Sequence, residues 1–276
     1  MRLAYIGLGL MGSPMAKRLV SLGYAVTGYD IDPSRVAAAG VQPASSVADA
    51  ANSHELVLLN LPTTAAVEAV ARELPVVPGQ LVVDFSTIPP AKAIELGAAR
   101  RWIDAPVSGG PPLSATGELT IMAGGAPEDI ERAMPLLKDV SRRFTHLGPL
   151  GSGLAAKMVN QLIVAVGHAM MAEAIVLAES AGLDASKLPE TLAGGVADSA
   201  LLQRFWPRMA KREFAPQGYV RQLLKDLEML NEFAAASKAP LPLASQALSL
   251  YRLLAHLGHT ELDTTALIKL YDRAPK

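Results

Sequence analysis

Seven short strand candidates, most of them apolar, punctuate the first half of the chain, and the pattern stops at a glycine-rich stretch, LGPLGSG, 147–153. They are Leu3–Ile6, Ala25–Tyr29, Leu56–Leu59, Leu81–Phe85, Trp102–Ala105, Leu119–Ala123 and Arg143–His146. Each has strand length, and between most of them lie helix-period segments such as MAKRLVSLG, TTAAVEAVAREL and EDIERAMPLLKDV. Strands that alternate with helices predict a mostly parallel sheet, because a parallel pair needs a long crossover that a helix supplies. Beyond Gly151 no run reads as a strand. Helices are predicted over about 153–181, 185–193, 198–211, 219–237, 241–257 and 262–273, punctuated by GLD, PQG, KAPLP and HLGH. The expected organisation is an α/β domain over 1–152 and an all-helical domain over 153–276, with the long helix 153–181 running between them.

Composition narrows the function classes. Hydrophobic residues make up 50% of the 276 and charged residues 18%, enough apolar material for two cores. The net charge of −1 gives no footprint for nucleic acid or for a basic membrane-facing surface. The chain has no cysteine, which excludes disulfides, thiol nucleophiles and cysteine-ligated metals. The most apolar stretch, about 158–178, contains Asn160, Gln161, His168 and Glu173, and reads as a buried helix rather than a membrane span. MRLAYIGLG is interrupted by glycine too early for a secretory signal, so a cytoplasmic protein is expected.

The first strand leads into AYIGLGLMGSPMAKRLV, where Gly7, Gly9 and Gly12 have G-x-G-x-x-G spacing. The pattern alone is weak. Here it follows a strand and opens a helix, with Pro14 near the first turn and Gly23 as the stop. Gly7 would allow the tight turn, Gly9 the approach of a pyrophosphate and Gly12 close packing of helix on strand, with the helix N-terminus favouring the anion. This predicts a Rossmann-type dinucleotide-binding domain. Asp30 lies eighteen residues past Gly12, where a carboxylate accepts from the adenosine ribose hydroxyls. It favours NAD by repelling a 2′-phosphate, while Ser34 and Arg35 keep NADP open.

DAPVSGGPPLSATGELTIMAGG, 104–125, is the next candidate. Its strand is expected to end near Val107, which sets Ser108, Gly109 and Gly110 at the C-terminal edge of the sheet, where backbone N–H groups and a hydroxyl suit a carboxylate. GSGLAAKMVNQ, 151–161, then opens an apolar helix with Lys157 and Asn160 one turn apart. A buried ammonium is costly unless it has partners or a task.

Together these motifs resemble the β-hydroxyacid dehydrogenase family. GLGLMGSPMAKRL is similar to the family's cofactor motif, with Arg18 where an Asn is common. DAPVSGGPPLSATGELTIMAGG is similar to its substrate motif, and GSGLAAKMVNQ to its catalytic motif G-x-G-x-x-x-K-x-x-N-N, with Gln161 in place of the last Asn. LLKDLEM, 223–229, is similar to the Lys-Asp motif of the second domain. The resemblance implies a cleft between the two domains. It implies Lys157 as the catalytic residue, Asn160 fixing the substrate, and Ser108, Gly109 and Gly110 holding its carboxylate. It implies a cofactor loop of Gly7, Leu8, Gly9, Leu10, Met11 and Gly12, joined by Asp30, Arg35, Leu61, Pro62, Thr87 and Lys225.

Hydride transfer from an alcohol needs a base for the hydroxyl proton, and the reverse reaction needs an acid. A free lysine, with a pKa of about 10.4, is a poor base at neutral pH unless desolvation lowers it. On a helix Lys157, Asn160 and Gln161 share one face, so the apolar setting and the partner amides fit that task. The expected reaction is reversible NAD(P)-dependent oxidation of a small 3-hydroxy acid, first among them 3-hydroxyisobutyrate, with tartronate semialdehyde and succinic semialdehyde reduction as alternatives. Imine reductases usually lack this lysine, and 6-phosphogluconate dehydrogenases are longer and carry a His-Asn pair here. A non-catalytic dinucleotide-binding or oligomerisation module is the reading of a different class, which Lys157 opposes. The expected partners are a carboxylate-bearing hydroxy acid or semialdehyde and further copies of the chain, as homodimer or homotetramer, with no nucleic acid, membrane or metal. His168 reads as a satisfied interior histidine, the group His256, His259, Glu261 and Asp263 as a solvated turn, and Tyr219 as either a pocket or a core residue.

Overall fold

The computed structural model describes residues 2–272, and the chain divides into two compact units, one ending at Lys157 and the other starting at Met158. The first unit carries, in order, β1 (Arg2–Ile6), α1 (Gly12–Ser21), β2 (Ala25–Tyr29), α2 (Pro33–Ala39), β3 (Gln42–Pro43), α3 (Val47–Ala51), β4 (Leu56–Leu59), α4 (Thr64–Glu73) and β5 (Leu81–Asp84). There follow α5 (Pro90–Gly97), β6 (Arg101–Asp104), β7 (Val107–Ser108), α6 (Gly110–Thr116), β8 (Leu119–Gly124), α7 (Pro127–Asp139) and β9 (Ser141–Gly148). The sheet order is β3-β2-β1-β4-β5-β6-β8-β7, with β9 beside β8. From β3 to β6 every pairing is parallel; β8 runs antiparallel to β6 and parallel to β9.

Strand periodicity explains why both faces are covered. On β1, Leu3 and Tyr5 join Met15 and Leu19 of α1 on one face, while Ala4 and Ile6 join Val67 and Val70 of α4 on the other. Strands buried on both sides have no polar face to show, which is why β4 reads LVLL and β5 begins LVV. The chain switches direction across the sheet at β1, which lies between β2 and β4. The C-terminal ends of β1, β2, β4, β5 and β6 therefore share one edge, the edge at which open α/β sheets take ligands.

One local expectation is corrected in this unit, and one strand lies where none was expected. The strand expected to run to Val107 stops at Asp104, because Pro106 has no N–H for a ladder; Val107 and Ser108 then form β7, antiparallel to β8. The pair Gln42–Pro43 forms an exposed two-residue edge strand with no apolar alternation to announce it.

The long helix α8 (Ser152–Ser180) begins in the first unit and continues into the second. By length and composition it could cross a membrane, yet Met158, Ala165, Met171 and Ile175 are fully buried. The second unit adds α9 (Leu188–Leu192), α10 (Ala200–Ala210), α11 (Val220–Ala236) and α12 (Pro242–His256). Met158 and Ala165 pack with Leu223, Leu227 and Leu230 of α11 and with Ala247 and Tyr251 of α12. Further along α8, Met171, Ala172 and Ile175 pack with Leu202, Trp206 and Met209 of α10. Val159, Ile163, Met170 and Leu177 stay exposed along one face of α8. The helix expected over 185–193 is a 3-10 turn, Ala185–Lys187, running into α9. The one expected over 262–273 is a 3-10 run, Thr264–Leu270, and its last position lies outside the described residues.

Candidate active site

The glycine loop is built by exclusion. Gly7 has φ +91° and donates to Tyr29 O at 2.9 Å, which turns the chain off β1. A Cβ on Gly7 would lie 2.3 Å from Asn60 O, and one on Gly12 would lie 2.0 Å from Gly7 O. On Gly9 it would meet only Arg35 Nη1, at 3.9 Å, so the loop is tight on its inner side and open at its crest. Among the described residues no side chain caps the N-terminus of α1, which follows at once. Leu8 is buried and donates its N–H to Asp30 Oδ2 at 2.7 Å, while Leu10 is exposed and Met11 half-buried.

Asp30 follows β2. Its other oxygen accepts from Asp32 N at 2.9 Å and faces Arg35 Nη1 at 3.5 Å. Arg35 also faces Asp32 Oδ2 at 3.5 Å, and the Ser34 hydroxyl donates to Asp32 Oδ1 at 2.6 Å. The Ser34 hydroxyl, and then its N–H, hold the Asp32 carboxyl below the usual range. Along the same edge, Leu61 donates to Ser86 Oγ at 2.9 Å, and Ser86 N donates to Asp84 Oδ1 at 2.9 Å. This ties the loop after β4, with Leu61 and Pro62, to the loop after β5, with Thr87.

After β6, Gly109 has φ +141° and Gly110 φ +73°. A Cβ on Gly109 would also press on Leu119 at 3.0 Å and Leu113 at 3.1 Å, so both space and backbone demand glycine there. Ser108, Gly109 and Gly110 are all partly exposed. Lys157 sits on α8, 8% exposed, and its Nζ donates to Val107 O at 2.8 Å, the carbonyl next to Ser108. Thus the first unit brings together the glycine loop, Asp30, Arg35, Leu61, Pro62, Thr87, Ser108, Gly109, Gly110 and Lys157, each at or tied to the C-terminal edge of its sheet.

In the second unit, Asn160 Nδ2 donates to Gln161 Oε1 at 2.8 Å, and Gln161 Nε2 donates to Asp226 Oδ2 at 2.5 Å. Lys225 faces Asp226 Oδ1 at 3.2 Å. Gln161 therefore orients the Asn160 amide through a buried carboxylate. Sequence reasoning missed Asp226 as a partner, although it stands next to Lys225. It also missed Asp104, a buried carboxylate whose one outward sign is a charge closing an apolar strand ahead of Pro106.

Two discounted features need correction. His168 is buried but only half satisfied: Nδ1 meets Tyr251 Oη at 3.1 Å, Nε2 has no hydrogen-bond partner among the described residues, and burial pushes the imidazole down to about 4. Asp263 is not solvated. It is fully buried, pairs with Arg208 at 3.1 Å and accepts from Gln217 N at 2.7 Å. Tyr219 is half-buried, its ring 4.3 Å from the Arg221 guanidinium.

Residues 2–148 match a family model described as the NAD binding domain of 6-phosphogluconate dehydrogenase. Residues 151–271 match one described as the NAD-binding of NADP-dependent 3-hydroxyisobutyrate dehydrogenase. The chain is 38% identical to NAD-dependent L-serine dehydrogenase of Pseudomonas aeruginosa, over 98% of each chain. It is 33% identical to 2-hydroxy-3-oxopropionate reductase of Escherichia coli, over 98% of this chain and 96% of that one. The structure of Mycobacterium tuberculosis 3-hydroxyisobutyrate dehydrogenase with L-serine superposes with a TM-score of 0.88 at 31% identity, covering 99% of each chain. The chain belongs to the β-hydroxyacid dehydrogenase family. It is an NAD(P)-dependent 3-hydroxyacid dehydrogenase, with a Rossmann-type domain followed by a helical one.

A β-hydroxyacid dehydrogenase needs a dinucleotide, and the residues present fit one. Gly7 and Gly12 are closed to any side chain, Gly9 leaves open space over the start of α1, and among the described residues no side chain caps that helix in competition with an anion.

Proposed function

We propose that this dehydrogenase reversibly oxidises 3-hydroxyisobutyrate to methylmalonate semialdehyde in the cytoplasm, with Lys157 as general acid and base. The observation that carries the reading is the placement of Lys157 Nζ on Val107 O, beside the Ser108–Gly109–Gly110 loop. Ser108 and the two glycines hold the substrate carboxylate through a hydroxyl and backbone N–H groups. Asn160, its amide oriented by Gln161, fixes the hydroxyl. Lys157 takes the hydroxyl proton on oxidation and returns it to the developing alkoxide on reduction. The dinucleotide, when bound, supplies hydride acceptance and donation. Gly7, Leu8, Gly9, Leu10, Met11 and Gly12 hold its pyrophosphate, with Leu61, Pro62, Thr87 and Lys225 as further contacts.

NAD is the proposed cofactor. Asp30 and Asp32 set two carboxylates against the single guanidinium of Arg35, a balance that repels a 2′-phosphate. The 33% identity to a 2-hydroxy-3-oxopropionate reductase supports tartronate semialdehyde as the second substrate to try. The exposed face of α8 supports assembly with further copies, as homodimer or homotetramer, which a monomer in analytical sedimentation would contradict.

The first test is a steady-state assay crossing NAD⁺ and NADP⁺ with 3-hydroxyisobutyrate, glycerate, 4-hydroxybutyrate and L-serine. The expected result is a preference of about tenfold or more in kcat/KM, ~1.4 kcal/mol, for NAD⁺ with 3-hydroxyisobutyrate. Lys157→Ala should lose kcat by about 10²–10⁴-fold while cofactor affinity holds. Near-normal turnover in that variant would sink the mechanism.

A further inference from the structure

The reading of Lys157 leaves open what holds it in place. Asp104 ends β6 and is 1% exposed. Its Oδ1 accepts from Gly151 N at 2.7 Å and its Oδ2 from Leu154 N at 2.7 Å. The donors are the residue just before α8 and one in its first turn, 47 and 50 positions further along the chain. The fit is close enough that glycine is needed on both sides. A Cβ on Gly124 would lie 2.4 Å from Oδ1, and one on Gly153 would lie 2.9 Å from Oδ2.

Three residues past Asp104, the Val107 carbonyl accepts from Lys157 Nζ. Between these two grips the chain is fixed to the sheet: Ala105 N donates to Asp84 O at 2.8 Å, and Pro106 O accepts from Met122 N at 3.2 Å. One end of the segment 104–107 therefore holds the first turn of α8, and the other end holds the ammonium that the helix carries. Leu154 and Lys157 are three residues apart, about 4.5 Å along the axis. A shift of the first turn therefore carries the Lys157 backbone with it.

An ordinary N-cap ties a helix to the residue just before it. Asp104 instead ties the helix to a distant strand. We propose that Asp104 is a positioning residue of the reaction, its carboxylate locking the first turn of α8 to the end of β6 so that Lys157 stays beside Ser108. The proposal rests on Lys157 being the acid and base.

Two properties single out a carboxylate for this role. Its two oxygens accept both N–H groups, whereas an Asn would aim its NH₂ at one of them. Its charge also opposes the positive end of the helix dipole. Burial pushes the Asp104 carboxyl up to about 6, partly offset by the N–H groups of Gly151 and Leu154. The ionisable groups around it are Asp84, level with it on β5, His146 on β9, Lys157 on α8 and, on its own strand, Arg101, which pairs with Asp129. His146 is held by the carbonyls of Gly125 and Gly148.

Asp104→Asn tests the proposal in the full-length enzyme. kcat is expected to fall at least about tenfold while KM for NAD⁺ changes by less than about twofold. In the reductive direction, where Lys157 must carry its proton and gives no acid limb of its own, the wild-type kcat should show an acid limb near pH 6 that the variant lacks and that His146→Gln retains. A kcat within about twofold of wild type, or an acid limb that persists in Asp104→Asn, overturns the proposal. Should Asp104→Asn fail to fold, the wild type carries the test. Exchange protection of the Leu154 amide should then fall together with kcat through the acid limb, and protection that stays constant overturns it. A failure here is separable from a failure of the catalytic reading. An inactive Lys157→Ala beside an unimpaired Asp104→Asn rejects the positioning role alone, and an active Lys157→Ala rejects the acid–base role.

Discussion

A methyl group at Gly12 would meet Gly7 O at 2.0 Å, whereas one at Gly9 would meet nothing closer than a guanidinium at 3.9 Å. The two glycines therefore serve different ends, and substitution separates them. Gly12→Ala forces backbone against backbone and should cost about 1–3 kcal/mol or more, read as a lower urea midpoint. Gly9→Ala should leave that midpoint within about 0.5 kcal/mol of wild type and weaken dinucleotide binding at least tenfold by fluorescence titration, because it fills the space a pyrophosphate needs. A fully bound dinucleotide in Gly9→Ala would remove the loop's assigned role. Residues whose job is local were legible: the spacing of Gly7, Gly9 and Gly12 already stated which backbone must come close to what. Asp104 and Asp226 were not. Their partners lie 47 and 65 positions away, and no periodicity records a contact of that range.

Among elements, the pairing of α8 with α11 carries the polar relay Asn160–Gln161–Asp226. The chain's departure from the family's Asn at this position thereby gains a physical account. The longer Gln161 side chain spans from the Asn160 amide to the carboxylate on α11. Replacing Gln161 by Leu leaves Asp226 without that donor and frees the Asn160 amide to turn. The expected result is a rise in KM for the hydroxy acid of about tenfold, with a loss of about 1–3 kcal/mol of stability for the stranded carboxylate. An unchanged KM would assign the relay to stability alone. The apolar strands, and the helices α8, α10, α11 and α12, were legible to within a residue or two, the strands because burial on both faces writes itself as LVLL and LVVD. The two-residue strands β3 and β7 were not, being too short to show alternation. Nor was the 3-10 run Thr264–Leu270, whose apolar spacing resembles that of an α-helix.

Over the whole molecule, two buried groups pull stability in opposite directions as pH changes. Burial lowers His168 from 6.5 to about 4, so the unfolded chain binds the extra proton; this contribution is present above pH 6.5 and lost as pH falls towards 4. Burial raises Asp104 from 3.8 to about 6, so the folded chain binds the extra proton; this contribution is present below pH 3.8 and lost as pH rises through 6. Each is worth about 3 kcal/mol, and the two windows overlap between about pH 4 and 6, where they offset. Asp104→Asn should expose the histidine slope, carried by His168 with a same-signed contribution from His54, which burial also lowers, and stability should rise by at least about 3 kcal/mol from pH 4 to 6.5 in urea titrations. A flat profile in that variant would show that the offset does not operate. Trp102 and Trp206 report the two units separately, so the same titration also tests whether they unfold as one. The division into an α/β half and a helical half was legible from the change at 147–153, and so was a long helix between them; that the first turns of this helix belong to the α/β unit was not, since a sequence pattern marks where a helix runs and not which core its ends belong to. This sharing bears on how such a gene could be recombined. The glycine-rich turn invites a splice at Gly148 or Pro149, yet a foreign helix joined there would have to bring its own glycine at position 153 and two N–H groups aimed at Asp104. A crossover placed after Lys157 inherits the anchored first turn intact, and chimeras cut at that point are the ones in which a helical half from another lineage would keep the lysine where the sheet holds it.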